Sequence, residues 1–207
     1  MTEKFAVVFK QKTVNPKHIA RYFAAFLATL AAIMVYSMSA SAQQITDSHG
    51  DTYQLVSGHV MKCNAAGCTA LTGSSTTASQ LVATGNGTSS PALYMLANNG
   101  GASFVWHYTG SGTVWTQVTG ASTTVTTLVA TSNALYILAS NNSGQNQVWH
   151  YSGSGTNWTA ITGLNTTTFS LYTIGNGLFM QASNNGGETI TWMYSGSGTD
   201  WIPEVNQ

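Results

Sequence analysis

Charge is what this sequence has least of: Asp, Glu, Lys and Arg make up 6% of the 207 residues. Five of the six basic side chains, Lys4, Lys10, Lys12, Lys17 and Arg21, lie at the N-terminus. From residue 43 onward only Lys62 faces Asp47, Asp51, Glu188, Asp200 and Glu204, a net charge of −4. Nucleic acid and anionic lipid are thereby excluded as partners of that part, because nothing there can neutralise phosphates. Helical periodicity of useful length is missing beyond the first 42 residues. The two cysteines, Cys63 and Cys68, lack the Cys-x-x-Cys spacing of a redox motif, and no βαβ pattern surrounds them.

The N-terminal basic residues precede an apolar run, Tyr22 to Met38, and the small residues Ser39-Ala40-Ser41-Ala42. This is the order of a secretory signal peptide with an Ala-x-Ala site, so residues 1–42 are expected to form a signal helix that is removed. Export places the remainder, residues 43–207, outside the cytoplasm: secreted, periplasmic or at the cell surface. A membrane association would arise only if that segment stayed uncleaved, since its apolar length sits at the lower limit for a span.

What is abundant beyond residue 42 is Thr, Ser, Asn and Gly alternating with Trp, Tyr, Leu and Val, the pattern of β-strands joined by polar turns. The segment Val105 to Gly120 returns as Val148 to Gly163, and again, altered, from Thr191. His107 and His150 are 43 residues apart, and Met193 follows after another 43. Each copy holds four strand-like runs, clearest as Leu128–Thr131, Ala134–Ser140, Gln147–Ser152 and Asn157–Thr162. Four strands in about 43 residues is the content of one β-propeller blade. Trp106 and Trp115, Trp149 and Trp158, and Trp192 and Trp201 are each nine apart, which fixes the length of the hairpin carrying them.

A degenerate copy precedes these three. Ile45-Thr46-Asp47-Ser48 aligns with Leu128 to Thr131, and Val60 to Cys63 with Val105 to Tyr108. The fold expected is therefore all-β, a small propeller of four four-stranded blades, with repeats at 43–73, 74–120, 121–163 and 164–207. Pro203 lies in the fourth run of the last copy, and proline is tolerated on edge strands, so the fourth run is the outer one. Cys63 stands where Tyr108 stands and Cys68 where Trp115 stands. If Tyr and Trp face each other across the hairpin, two cysteines there lie within bridging reach, which predicts a Cys63–Cys68 disulfide.

Reactive chemistry is scarce. His107 and His150 alternate with Trp and Tyr, so they point to the opposite sheet face from their aromatic neighbours. Metal binding would need them to converge from separate blades, and the other copies carry Lys62 and Met193 there; no metal and no cofactor are expected. The Gly-Ser-Gly-Thr loops at Gly110, Gly153 and Gly196 lack the Lys and helix of a phosphate cradle and read as turns. No nucleophile or acid/base pair recurs, so no enzyme is expected. The Asn turns at Asn98-Asn99, Asn141-Asn142 and Asn184-Asn185 recur at one rim and, with His107 and His150, are the candidate ligand contacts.

The layout Trp-x-x-Val/Ile-x-Gly, then Leu-Val-Ala, then Leu-Tyr-x-Leu and Val-Trp-x-Tyr resembles tectonin repeats, the β-propeller modules of tectonins and tachylectin-type lectins. Trp115, Val118, Gly120, Trp158, Ile161 and Gly163 carry the likeness most directly, and it spans residues 45–206. It implies a binder of glycans or other cell-surface ligands. The rival reading from another class is a structural or adhesive protein whose uncharged strands self-associate, and a homo-oligomer stays open in either case.

Overall fold

The computed structural model describes residues 44–99, 101–140 and 146–204. The expected signal segment, residues 1–42, lies outside the described residues. Within the unit Ala42–Gln207 the described residues form sixteen strands in four antiparallel four-stranded sheets, each a simple meander. The first sheet holds β1 (Ile45–Thr46), β2 (Thr52–Val56), β3 (His59–Asn64) and β4 (Gly67–Ala70). The second holds β5 (Thr77–Thr84), β6 (Ala92–Asn99), β7 (Ala102–Tyr108) and β8 (Trp115–Gln117). In the third are β9 (Thr124–Ala130), β10 (Leu135–Ser140), β11 (Asn146–Tyr151) and β12 (Trp158–Ala160). The fourth comprises β13 (Thr166–Ile174), β14 (Gly177–Asn184), β15 (Ile190–Tyr194) and β16 (Trp201–Pro203). Each sheet is one blade of a small all-β propeller.

The blades alternate their side chains so that even-handed burial on two faces becomes possible. Leu93, Met95 and Ala97 of β6 face the first blade, sharing a core with Tyr53 and Val60. Tyr94 and Leu96 of the same strand face the third, packing with Val125, Leu135 and Ile137. The pattern repeats one blade on, where Tyr136 and Leu138 share a core with Leu178 and Met180. Three cores therefore bind four blades in series. Among the described residues no such core joins the fourth blade to the first.

Hydrogen bonds follow the same series. The indole N–H groups of Trp115, Trp158 and Trp201 donate to the carbonyls of Leu71, Val118 and Ile161 in the preceding blade, at 2.7, 2.6 and 2.7 Å. On the innermost strands Leu128 N–H donates to Gln80 Oε1 at 2.7 Å. Buried Thr72, Thr119 and Thr162 accept from the N–H of Val60, Val105 and Val148, which explains the threonine of the Val/Ile-Thr-Gly motif. The Gly-Ser-Gly-Thr loops are hairpin turns whose two glycines take left-handed φ, +89° and +53° at Gly110 and Gly112, a region costly for residues with a Cβ.

Cys63 and Cys68 are directly opposed in the β3–β4 ladder with Cα atoms 4.0 Å apart and are bridged, as their substitution for the Tyr108–Trp115 pair predicts. Two alignments need correction. The inner strand of the third blade begins at Thr124, not Leu128, because the Thr-rich link pairs through a bulge between Leu138 and Ala139. In the first blade Ile45 opposes Tyr53, whereas Val129 opposes Tyr136; Ile45 thus matches Val129 rather than Leu128. A one-residue slip reverses the face, and only this register lets Ile45 enter the core, where it is 1% exposed.

Candidate functional site

Where consecutive blades meet, the same cleft occurs three times. On the side of the second blade that faces the first, a hollow of about 270 Å³ is lined by Thr76, Met95, Asn98, Trp106, Thr113 and Trp115. Its counterpart between the second and third, about 190 Å³, has Thr123, Ile137, Ser140, Trp149, Thr156 and Trp158. Between the third and fourth, Thr166, Met180, Asn184, Trp192, Thr199 and Trp201 enclose about 150 Å³. Every cleft has two tryptophans nine residues apart, a hydroxyl from the Gly-Ser-Gly-Thr turn and a threonine hydroxyl three residues after the glycine that ends the preceding repeat.

The sequence builds this arrangement locally. Alternation along β7, β11 and β15 puts Trp106, Trp149 and Trp192 on the face turned to the preceding blade. The hairpin glycines fold the chain back so that Trp115, Trp158 and Trp201 oppose Tyr108, Tyr151 and Tyr194, with ring centroids 5.1, 4.9 and 5.1 Å apart. Each outer tryptophan is thus both clasp and cleft wall, with its N–H already engaged across the blade junction. Trp192 donates to Ala182 O at 3.3 Å, while Trp149 Nε1 is buried with no hydrogen-bond partner among the described residues. These clefts can hold a small ligand that offers an apolar face to indole and hydroxyls to threonine; among the described residues no ionisable group lines them.

The residues expected from the sequence fall elsewhere in part. Asn98 and Asn184 reach the first and third clefts. Asn98 Oδ1 also accepts from Gly101 N–H, fixing its own turn. Asn99 closes β6 opposite Ala102, and Asn185 adopts φ +54° in the turn after β14. Asn141 and Asn142 lie outside the described residues. His107 stacks on Tyr94 at 4.8 Å and His150 lies tilted against Tyr136 at 5.1 Å, on the opposite sheet face from the tryptophans, and neither lines any of the three clefts. Burial holds both imidazoles below the usual histidine value.

A second hollow, about 520 Å³, lies beside the first and second blades and includes Asp47, Asp51, Tyr53, Lys62, Ser89 and His107. Its charges are already used. Lys62 Nζ meets Asp51 Oδ2 at 2.6 Å and lies over the Tyr53 ring, 5.6 Å from its centroid. Burial opposes ionisation of Asp47, but the N–H groups of His49 and Asp51 and the Tyr53 hydroxyl outweigh it and hold the carboxyl below the usual range. Lys62 and Tyr53 reproduce the His107 and Tyr94 stack in a blade that has no histidine there.

The sequence pattern uses the tryptophans only to fix hairpin length and puts the expected contacts in the asparagine turns. The signal that marks the clefts was present: the invariant nine-residue Trp spacing together with the Thr closing each Gly-Ser-Gly-Thr turn.

No family model matches the chain, and no curated protein matches it. Among solved structures it is similar to a puromycin hydrolase mutant complexed with PGG, a β-propeller peptidase, with a TM-score of 0.55 and 9% identity. The match takes in 73% of this chain and 26% of the other, so this chain spans about a quarter of that protein's length. At this identity the likeness shows the propeller fold alone. It corrects one expectation, that the chain is no enzyme: blades of this kind occur in a hydrolase, so a propeller lacking a legible catalytic motif does not by itself exclude catalysis.

Proposed function

We propose that the protein is an exported carbohydrate-binding module, a propeller of the tectonin and tachylectin type, with one small-sugar site at each internal blade junction. The observation that carries this reading is the threefold recurrence of the tryptophan-pair cleft. Core packing needs aromatic residues, but it does not need the same two threonine hydroxyls beside them three times. A glycan presents an apolar ring face and a rim of hydroxyls, and indole with threonine answers both. Volumes of 150 to 270 Å³ fall below the roughly 300–1,000 Å³ of drug-sized sites and suit a single sugar unit.

Export accords with the Cys63–Cys68 disulfide, which persists in oxidising compartments. The leader pattern adds to this.

A glycan array probed with the purified protein, followed by calorimetric titration of any sugar bound, tests the reading. Up to three sites per chain are expected, and Trp106→Ala, Trp149→Ala and Trp192→Ala should each remove one while far-ultraviolet circular dichroism keeps its native form. Silence across the array, or binding that survives all three substitutions, would overturn it.

A further inference from the structure

The two ends of the blade series differ from its interior in opposite ways. In the second and third blades the face turned to the following blade carries, in cross-strand register, Val82, Tyr94, His107 and Thr116, then Val129, Tyr136, His150 and Thr159. In the fourth blade the same row reads Tyr172, Phe179, Met193 and Ile202. Val has become Tyr, and Thr has become Ile. This apolar row lies on the face pointing away from the third blade, whose core holds the alternate residues Leu171, Leu178, Met180 and Trp192. Ile174 and Ile202 are 65% and 50% exposed.

At the other end the face turned away from the second blade has shrunk. Where Leu93, Met95, Trp106, Tyr108 and Trp115 stand in the second blade, the first has Thr52, Gln54, Met61, Cys63 and Cys68. A bulky face at one end thus answers a reduced one at the other. The correspondence holds at individual positions. Leu96 and Ile137 share one core, as do Leu138 and Met180. At the two ends of the series the cognate positions are both glutamine, Gln181 and Gln54. Tyr94 meets Tyr151 edge-on at 6.1 Å, and Tyr136 meets Tyr194 at 6.2 Å. The cognate pair at the ends is Phe179 and the Cys63–Cys68 bridge, an aromatic ring against sulfur.

We infer that the fourth blade of one chain packs on the first blade of a second copy, in the register already used at the three internal junctions. A head-to-tail contact that closes generates a ring. Two copies joined at both ends make eight blades, the upper end of the usual propeller range. The added junctions lack one feature of the internal ones. The first blade has no tryptophan to donate to the carbonyl of Glu204, the counterpart of Val118 and Ile161, and Glu204 is exposed. The contact is accordingly reversible by dilution, and it adds no tryptophan cleft. This inference does not depend on the ligand.

Analytical ultracentrifugation of the purified protein tests it, with Gln54→Arg at one end and either Phe179→Asp or the more exposed Ile202→Asp at the other. The native protein should sediment at twice the chain mass and each variant at the chain mass, with unchanged far-ultraviolet circular dichroism. Mixing a first-blade variant with a fourth-blade variant should restore a two-chain species, because one of the two junctions is then intact. A native protein that remains a single chain at every concentration reached would overturn the inference. So would dissociation by the fourth-blade variants alone with no rescue on mixing, which marks a contact of that face with itself.

Discussion

Trp158 of the third blade donates its indole N–H to the carbonyl of Val118 in the second at 2.6 Å, and Val118 itself is 3% exposed. On the inner side the same junction is bridged by Leu128 N–H to Gln80 Oε1 and by Gly85 N–H to the carbonyl of Ser132, whereas the indole bond lies at the outer strands and fixes how they align. Replacing Trp158 with Phe keeps the aromatic contact with Tyr151 but leaves a buried carbonyl without its donor. The expected loss is about 1–3 kcal/mol, read as a lowered urea midpoint with an unchanged slope. Trp115→Phe should cost a similar amount, since the same bond recurs there to Leu71.

The disulfide stabilises a short hairpin, with Cys63 and Cys68 separated by 5 in sequence. Loop-closure entropy for so small a ring is modest, about 2 kcal/mol. The double variant Cys63→Ser, Cys68→Ser should therefore still fold, with hydrogen exchange accelerated in β2 to β4 and little changed in the third and fourth blades. Global unfolding of the variant would show that the first blade nucleates the series, contrary to the near-neighbour coupling expected of stacked repeats.

Much of this fold was legible because period and alternation are strict: the tryptophan spacing located the hairpins and the cysteine substitution located the bridge. The register of the first blade was not, because β1 is two residues long and gives too few side chains to fix a face. Nor were the clefts, since Trp115 and its equivalents are clasp and wall at once and sequence cannot separate the two roles. The asparagines carry two roles in the same way: Asn98 bonds its own turn and also lines a cleft, so its recurrence reflects backbone geometry as much as any ligand. The changed ends of the series read in sequence only as weak repeats; their meaning depends on which face each substituted residue occupies.

Stability should depend on pH through His107 and His150. Burial lowers both folded-state values below 6.5, so the unfolded chain binds protons where the folded chain does not. By linkage the stabilising contribution is complete above about pH 6.5 and is lost as the pH falls through the depressed folded values. Urea midpoints measured from neutral pH downward should decline over that range, and the double variant His107→Gln, His150→Gln should flatten the slope. An undiminished slope in that variant would assign the titration to other groups.

Trp149 offers a way to separate packing from recognition at a single atom. Its Nε1 is buried without a hydrogen-bond partner among the described residues, in the middle cleft beside Thr156 and Trp158, whereas Trp192 Nε1 has Ala182 O at 3.3 Å. Leaving a buried donor unmet costs about 1–3 kcal/mol, so a phenyl ring of nearly the same shape removes that penalty while opening a small void. The two effects oppose each other, and Trp149→Phe should change stability by less than about 1 kcal/mol in either direction. Trp192→Phe loses a bond that is made and should be the more destabilising of the two. If the cleft takes a sugar hydroxyl near Trp149, its indole N–H acquires the acceptor it lacks. Trp149→Phe would then weaken binding at the middle site several-fold while leaving the urea midpoint almost unmoved, a split that purely structural packing cannot produce.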